Sequence, residues 1–196
     1  MQKPSKKVIA VDIDEVLADF ISYFVYFHNL MYKTNTGKED VKKYYLHEVF
    51  QTDREEMTIR YLEFKALHLI ERLKPVKGSL SGIKELVKRG FEPHLVTARP
   101  QVIEKETLKW LDFHFKGIEL PVHFTHKAQG GPQKKKSAIC REIGAKILID
   151  DHVDNALDCA ANAIKVYLLD APWNQRESLP GGIIRVKSWK EIIKVL

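Results

Sequence analysis

The stretch VIAVDIDEVLADF, residues 8–20, places two aspartates directly behind an apolar run. The run VIAV predicts a short buried strand, and Asp12 and Asp14 follow where that strand ends. Two carboxylates at the end of a buried strand are costly unless a partner compensates for their lost hydration. Asp14 alone is also compatible with capping a helix that begins in EVLADF. Because the two acids occur together, we interpret them as functional residues.

Patterns typical of strands and of helices alternate along most of the chain. Short apolar runs predict strands at residues 8–11, 91–97, 122–125, 146–150, 165–170 and 183–186. Helical spacing predicts helices between or after them, at residues 101–115, 137–144, 155–163 and 188–196. Near-continuous apolar strands that alternate with helices indicate a parallel sheet buried on both faces. The predicted fold class is therefore α/β, a Rossmann-like parallel sheet with helices on both faces.

One region interrupts this alternation and contains no pattern typical of a strand. Between residues 19 and 74, helical spacing occurs in FISYFVYFHNLMY and in the segment that contains Ile59, Leu62, Leu69 and Leu73. The Pro and Gly residues of PVKGS then mark the return to the alternating pattern. We therefore predict a sheet domain, residues 1–18 and 75–196, and a small all-helical insertion after the first strand, residues 19–74.

The composition argues against several function classes. The 196 residues are 44% hydrophobic, which suffices for a buried core, and 32 basic residues against 26 acidic ones give a net charge of +6. This mild charge fits an anionic substrate as well as a plain basic surface. The lysines are spread along the chain, and one KKK run is too little for a nucleic-acid-binding face. No apolar run approaches the length of a membrane span, and no signal-peptide pattern precedes the first strand.

The chain has only two cysteines, Cys140 and Cys159, and both lie in stretches with helical spacing. Neither their number nor their separation suggests a zinc site or a disulfide framework. We therefore expect free, buried thiols and a cytoplasmic location in a reducing compartment. We expect neither a nucleic acid nor a membrane as a partner.

Further polar side chains stand near the ends of two other predicted strands. Thr97-Ala98-Arg99 follows the second strand, Asp150-Asp151 ends the strand KILID, and Lys136 directly precedes the helix before that strand. Because ligands of open parallel sheets bind beyond the carboxyl ends of the strands, we expect these side chains on one rim. Taken singly, the threonine and the lysine would be ordinary residues. The acid pair could form only a turn at a strand end, but two adjacent acids there favour a function. Their combination with Asp12 and Asp14 indicates a functional site far more specifically than any one of these residues does.

This set of side chains suits phosphoryl transfer. Carboxylates crowded on one rim repel each other unless a hard cation joins them, and Mg²⁺ prefers oxygen ligands together with phosphate. One carboxylate can act as a nucleophile and form an aspartyl-phosphate, and a second can exchange protons with the leaving oxygen and with water. A lysine and a threonine can hold the phosphoryl group, whose charge is spread over three oxygens.

The order of these motifs resembles that of the haloacid dehalogenase superfamily of phosphotransferases. Four motifs carry the resemblance between residue 8 and about residue 170: Asp12-Ile13-Asp14, Thr97 in HLVTARP, Lys136 in KKKSAIC, and Asp150-Asp151 in KILIDDHVDN. Within this superfamily, VDIDEVLADF, LKPVKGS and LVTARP are similar to the cytosolic 5′(3′)-deoxyribonucleotidase branch. The resemblance implies a fold of the haloacid dehalogenase type in which the helical insertion is the cap domain.

The resemblance also implies a role for each motif residue. Asp12 would be the nucleophile and Asp14 the acid and base, and Thr97, Ala98 and Lys136 would bind the phosphoryl group. The cofactor would be Mg²⁺, held by the Asp12 carboxylate, the Asp14 main-chain carbonyl, Asp150 and, directly or through water, Asp151. The second acid argues against dehalogenation, because dehalogenases of this superfamily lack it.

Two positions depart from the family pattern or leave a choice open. Glu15 stands where the nucleotidases more commonly have Gly, so its carboxylate would either repel a phosphate or reshape the loop. Lys135 competes with Lys136 as the phosphate-binding lysine, and we choose Lys136 because it directly precedes the predicted helix.

Several other residues are candidate substrate contacts with a structural alternative. Glu15 and Arg99 are two of them, and Arg99 is otherwise a surface residue beside Pro100. The aromatic residues Phe20, Phe24 and Phe27 either stack on a nucleobase or, as their spacing favours for most of them, form the core of the insertion. Trp173 either closes one side of the site or packs on the edge of the sheet.

Two hypotheses from different classes follow. The first is a Mg²⁺-dependent phosphomonoester hydrolase that acts through an aspartyl-phosphate on a small phosphorylated substrate, with (deoxy)nucleoside monophosphates as the candidate class. The second is a catalytically weak phosphate- or nucleotide-binding regulatory protein on the same scaffold, with Glu15 marking the loss of activity. A phospho-receiver domain also uses acids, Thr and Lys, but there the acid pair comes first and the Lys late, unlike the order in this chain.

Overall fold

Six strands form one parallel sheet in the computed structural model, which describes residues 7–126, 133–176 and 178–196. The strands are β1 (Lys7–Val11), β2 (Phe91–Pro100), β3 (Val122–His126), β4 (Ile147–Asp150), β5 (Lys165–Leu169) and β6 (Ile183–Val186). Their order across the sheet is β3-β2-β1-β4-β5-β6, and every neighbouring pair is parallel. All six predicted strands are therefore confirmed, with β2 extending three residues beyond its predicted end.

Eight α-helices accompany the sheet in the described residues. They are α1 (Phe20–Tyr32), α2 (Leu46–Val49), α3 (Arg54–Ala66), α4 (Ser79–Lys88), α5 (Glu104–His114), α6 (Lys136–Glu142), α7 (Val153–Ala161) and α8 (Trp189–Val195). The four helices predicted between or after the strands are present as α5, α6, α7 and α8. Within the described residues, none of the helices combines the length and the apolar character that crossing a bilayer requires.

Both faces of the sheet are buried, which explains the continuous apolar runs of its strands. Along β1, Ile9 and Val11 belong to the core on one face, where α4, α5 and α8 pack. Ala10 points to the opposite face and packs in the second core with Cys140 of α6 and Cys159 of α7. Both thiols are free and buried, as predicted. This layering confirms the predicted α/β class.

Residues 19–74, which we call the helical insertion, contain α1, α2 and α3 and no strand. The rings of Phe24, Phe27 and Phe64 pack against one another with centroids 5.4–5.8 Å apart. Phe24 and Phe27 are therefore part of the core of the insertion, as their spacing predicted.

The predicted apolar spacing is wrong for Ile59 and Leu62 of α3, whereas Leu69 and Leu73, which follow the helix, pack in the core. Ile59 and Leu62 are 48% and 49% exposed, whereas Phe64 is fully buried and Met57 and Tyr61 pack against the core. Residues 57, 61 and 64 also share one helix face, at spacings of four and three. This face is the buried one because its aromatic side chains pack against the rings of α1. The aliphatic periodicity within α3 does not reveal this contact.

Two buried tryptophans of the sheet domain hold the segments around the two ends of the helical insertion. Trp189 donates its indole N–H to the carbonyl of Val16 at 2.8 Å, and Trp110 donates to the carbonyl of Leu73 at 2.7 Å. Near the same point, the main-chain N–H of Asp19 donates to the carbonyl of Lys74 at 2.9 Å. The insertion therefore leaves and re-enters the sheet domain through two segments that lie side by side.

Candidate active site

The predicted rim lies where the strand order of the sheet reverses. From β1, the chain builds outward through β2 and β3 on one side and through β4, β5 and β6 on the other. Asp12 directly follows β1, Asp150 ends β4, and the main-chain N–H of Asp12 donates to the carbonyl of Ile149 at 2.9 Å. Such a switch point is the usual ligand-binding crevice of a doubly wound sheet.

Lys136 brings a positive charge into this crevice. Its ammonium lies 2.7 Å from Oδ1 of Asp12 and 2.8 Å from Oδ2 of Asp150, and its side chain is 2% exposed. Burial alone would lower the pKa of Lys136, but the two carboxylates outweigh it and raise the pKa above its usual value. Lys135 is exposed and pairs with Asp158 outside the crevice. Of the two neighbouring lysines, Lys136 is therefore the one among the acids.

Three buried carboxylates converge in this crevice, and two of them contact the ammonium of Lys136. One oxygen each of Asp12, Asp150 and Asp151 lies within 4.8 Å of the others. Burial raises the pKa of Asp12 to about 7, against the opposing effect of Lys136, and burial with the neighbouring acids raises the pKa of Asp151 well above its usual range. One ammonium does not compensate three carboxylates, and converging carboxylate oxygens are the donors that a hard divalent cation prefers. The cluster therefore fits a divalent cation.

Hydrogen bonds from outside the cluster hold Asp150 and Asp151 in place. Asp150 Oδ1 accepts from the main-chain N–H of His152 at 2.8 Å. Asp151 Oδ2 accepts from the indole N–H of Trp173 at 2.7 Å, and Asn174 donates to the Asp151 carbonyl at 2.7 Å. Trp173 therefore closes one side of the site, which was one of its two predicted positions. The role of Asn174 has no signal in the sequence beyond its position next to that tryptophan.

Asp14 does not cap a helix, since α1 begins only at Phe20. Its carboxylate accepts hydrogen bonds from Arg99, from Nε at 3.0 Å to Oδ2 and 3.2 Å to Oδ1 and from Nη2 at 2.6 Å to Oδ1. Arg99 is 4% exposed and also donates to the hydroxyl of Thr107 at 3.1 Å, so of its two predicted positions the surface one is wrong. The buried hydroxyl oxygen of Thr97 accepts from the main-chain N–H of Arg99 at 3.1 Å.

Glu15 is turned toward the helical insertion. Its backbone has a φ of 60°, in the left-handed region that favours glycine. Its Oε1 accepts from the main-chain N–H of Ile21 at 2.6 Å, and its Oε2 lies 2.6 Å from the ammonium of Lys38. Burial raises the pKa of Glu15 to about 7, and Lys38 acts against this shift. A lysine therefore compensates the charge that was expected to repel a phosphate.

A cavity of about 230 Å³ lies between the helical insertion and the rim. Its polar wall includes Asp12, Asp14, Glu15, Ala98, Arg99 and Asp151. Its apolar and aromatic wall includes Phe20, Val41, Tyr44, Leu46, Tyr61 and Trp173. The sequence did not reveal the contributions of residues 41, 44, 46 and 61, because they belong to no motif and come together only when the insertion packs over the sheet.

Tyr44 connects the helical insertion to the loop that follows β4. Its ring stacks on the His152 ring, with centroids 3.4 Å apart and planes 16° from parallel. Burial and the acids of the rim, Asp151 foremost, raise the pKa of Tyr44 well above its usual value. Tyr44 is therefore a neutral phenol facing the carboxylate cluster.

The sequence is similar to those of known proteins over nearly its whole length. The family described as "5′ nucleotidase, deoxy (Pyrimidine), cytosolic type C protein" has a model that matches residues 6–196. The chain belongs to this family. A 5′(3′)-deoxyribonucleotidase of Bacillus subtilis is 32% identical to it over 203 residues, covering 97% of this chain and 99% of the relative. A nucleotidase of Clostridium acetobutylicum is 28% identical over 190 residues, covering 96% and 92% of the two chains.

Solved structures show the fold of this nucleotidase family member independently. A haloacid dehalogenase family hydrolase of Deinococcus radiodurans, solved with bound phosphate and sodium, has a TM-score of 0.66 at 12% identity and covers 95% of this chain and 93% of its own. A superfamily hydrolase of Geobacter sulfurreducens has a TM-score of 0.63 at 17% identity, with coverage of 100% and 99%. The predictions of a fold of this type and of a nucleotidase-like phosphatase are confirmed.

Proposed function

We propose that this phosphatase is a Mg²⁺-dependent phosphomonoester hydrolase that acts through an aspartyl-phosphate on nucleoside monophosphates. One observation carries the proposal: Lys136 lies within 2.8 Å of both Asp12 and Asp150 at the switch point of the sheet, beside a third buried carboxylate. This arrangement supplies a nucleophile, a cation for the phosphoryl oxygens and a set of metal ligands within one crevice.

In the proposed reaction, an oxygen of Asp12 attacks the phosphorus and the ester oxygen leaves with a proton from Asp14. Asp14 then takes a proton from water, which attacks the aspartyl-phosphate, releases phosphate and restores the Asp12 carboxylate. Asp14 suits this role because its carboxylate lines the cavity and is 31% exposed, while Arg99 fixes its orientation. The Thr97 hydroxyl, the Ala98 main chain and the Lys136 ammonium would hold the phosphoryl oxygens.

The proposed metal ligands are the carboxylates of Asp12, Asp150 and Asp151 together with the main-chain carbonyl of Asp14. Bound there, Mg²⁺ would neutralise charge on the phosphoryl group and on the carboxylate that attacks it. Trp173 and His152 support this role for the acid pair, since their donors orient the two carboxylates.

The proposed substrate class rests on the second half of the cavity. Its wall carries the aromatic side chains of Phe20, Tyr44 and Tyr61, which suit a planar base beyond the phosphate. The relative of B. subtilis that carries the name 5′(3′)-deoxyribonucleotidase supports the same class. We keep Phe20 as a substrate contact. Glu15 and Arg99 have partners within the protein, and we assign them indirect roles.

The proposal includes the division of the chain and its compartment. Residues 1–18 and 75–196 would be the catalytic domain, and the helical insertion would be a cap that excludes water from the aspartyl-phosphate. A cytoplasmic location is supported by the description of the family as cytosolic and by the two free thiols.

The test is phosphate release from nucleoside monophosphates, sugar phosphates and an aryl phosphate, each with Mg²⁺ and with EDTA. We expect release from nucleoside monophosphates that EDTA abolishes and added Mg²⁺ restores. Asp12→Asn should lose at least about a thousandfold in kcat without unfolding, because it removes the nucleophile and little volume. Asp154→Asn is the matched control, since Asp154 is an acid of the same rim with a 70% exposed side chain, and its rate should match wild type.

Two results would contradict the proposal in different ways. A rate for Asp12→Asn close to wild type would refute the assignment of the nucleophile. Absence of phosphate release from every compound with Mg²⁺ would instead support the phosphate-binding regulatory protein, and Glu15→Gly would then be the next variant to assay.

A further inference from the structure

We propose that Glu15 and Lys38 are positioning residues whose ion pair fixes residues 38–46 of the helical insertion over the loop that carries Asp12 and Asp14. Through this contact the pair would set the affinity for the part of the substrate beyond the phosphate. The inference rests on the proposed function for its kinetic consequence, but the ion pair itself is a feature of the protein without substrate.

On the side of the sheet domain, Glu15 is held firmly. It lies one residue after Asp14, and its main-chain N–H donates to the carbonyl of Ala18 at 2.7 Å. Its carboxylate also caps α1, since it accepts from the N–H of Ile21, while the side chain of Asp19 at the N-cap position accepts no hydrogen bond from the helix. The Glu15 side chain therefore has one orientation, fixed by the catalytic loop and by the start of α1.

On the side of the helical insertion, Lys38 opens a 3₁₀ turn, Lys38–Asp40. Its ammonium lies 2.6 Å from Glu15 and 2.6 Å from Asp19, so it joins two acids at the junction of sheet domain and insertion. The Glu15 side chain is only 8% exposed. A pair with one buried partner is screened less by solvent than an exposed pair, and loss of the lysine would leave a buried carboxylate without compensation.

The segment that Lys38 begins also builds the far wall of the cavity. Val41, Tyr44 and Leu46 follow within eight residues, and all three line the cavity. Val41 is 1% exposed and packs with Ile21 and Trp173. The segment is thus attached at Lys38 through charge and at Tyr44 through the stack on His152.

The phosphate end of the site does not depend on this attachment. Asp12, Asp150 and Lys136 are contributed by the sheet domain and contact one another directly. Loss of the ion pair should therefore loosen the far wall and leave the phosphoryl-binding end intact. The increase in KM should therefore be larger for substrates whose phosphate carries a larger group.

The variants are Glu15→Gln, Lys38→Met and their combination. Glutamine keeps an acceptor for the N–H of Ile21 and removes only the charge. Lys38→Arg keeps the charge and should restore the wild-type behaviour. Lys43→Met is the matched control, because Lys43 lies in the same segment and makes an exposed pair with Glu48 at 3.4 Å.

We expect Glu15→Gln and Lys38→Met each to raise KM for a nucleoside monophosphate about tenfold, with kcat within about twofold of wild type. The double variant should be no worse than either single variant, since both remove the same contact. With acetyl phosphate, which is too small to reach the far wall, the variants should match wild type. Amide hydrogen exchange at residues 38–46 should rise at least about tenfold in both variants and not in Lys43→Met.

Unchanged hydrogen exchange in both variants would overturn the proposal, and this measurement needs no turnover. Equal losses with acetyl phosphate and with the nucleotide would also overturn it, because Glu15 would then act on the phosphate end. If the wild-type protein released no phosphate from any substrate, the proposed function would fail, while hydrogen exchange would still decide whether the pair positions the segment.

Discussion

The rim of the sheet and the helical insertion are built on different physical principles. The rim joins charged side chains through short contacts, as in the Lys136 ammonium between Asp12 and Asp150, and each of these residues stands at the end of a strand or the start of a helix. The insertion is joined by aromatic packing of Phe24, Phe27 and Phe64. The topology of the sheet alone brings the charged groups of the rim together. The structure of the insertion depends instead on which faces of its helices pack against one another.

Among the variants that test this contrast, the largest loss of stability is expected at the rim, from Lys136→Met. This change leaves three buried carboxylates without a positive charge, which should cost about 3–5 kcal/mol of unfolding free energy and lower kcat at least about a hundredfold. Urea unfolding and phosphate release measure the two effects. Lys135→Met is the matched control, because the neighbouring lysine is exposed and pairs outside the site. If Lys136→Met and Lys135→Met had the same unfolding free energy and kcat, neither stability nor catalysis would depend on the contact of Lys136 with the carboxylates.

The next effect, on stability but not on rate, is expected in the core of the insertion, from Phe64→Ala. The side chain is fully buried among the rings of α1, and its truncation should cost about 3–5 kcal/mol by loss of burial and by the cavity left behind. Unlike Lys136→Met, it should not lower kcat for acetyl phosphate under folding conditions. Leu62→Ala, on the exposed side of the same helix, should change the unfolding free energy by less than about 1 kcal/mol. If urea unfolding showed that Phe64→Ala and Leu62→Ala lower the unfolding free energy equally, Leu62 would belong to the buried face of α3, as predicted from the sequence.

This contrast explains what the sequence could predict. Asp12, Thr97, Lys136 and Asp150 were predicted because each follows or precedes a recognisable strand or helix, and parallel topology brings such positions to one rim. The partner of Asp14 was not predicted, because Arg99 reaches it only when β2 extends past Thr97 and its guanidinium turns inward.

The wrong and the missing predictions for the insertion have a different cause. Ile59 and Leu62 satisfy helical spacing as well as the true buried face does, and only contact with the rings of α1 decides between the two faces. Lys38 and Tyr44 have no motif at all, since their importance arises from contacts with Glu15 and His152 across the junction. Sequence patterns record periodicity within one element, but not which elements meet.

Trp173 belongs to both regions and offers a sharper test of the comparison. It donates to Asp151 at the rim and packs against Val41 and Ile21 of the insertion. Trp173→Phe keeps an aromatic ring and removes the donor, so the Mg²⁺ concentration for half-maximal phosphate release should rise about tenfold. The apparent KM for a nucleotide at saturating Mg²⁺ should change little. A change in KM without a change in Mg²⁺ dependence would show that the contact with the insertion matters more.

The smallest expected effect is a pH dependence that arises within the insertion. His28 is 1% exposed, and burial together with the adjacent Arg60 guanidinium lowers its pKa to about 4. Its Nε2 lies 2.6 Å from Nη1 of Arg60, a contact that suits the neutral imidazole. Below about pH 6.5 the unfolded chain binds a proton at this residue that the folded chain does not bind, so the stability that His28 contributes should fall as the pH drops from about 6.5 to about 4.

Urea unfolding at pH 7 and pH 5 measures this dependence. The loss of unfolding free energy between the two pH values should be smaller in His28→Gln than in wild type, because glutamine does not titrate. His68→Gln, at an exposed position of the same insertion, should keep the wild-type pH dependence. If His28→Gln kept it as well, the acid sensitivity would not come from this histidine. The rim carboxylates would not explain it, since the raised pKa values of Asp12 and Asp151 favour folding as the pH falls. The stability of the aromatic core of the insertion would then be independent of pH, which would strengthen the contrast with the charged rim.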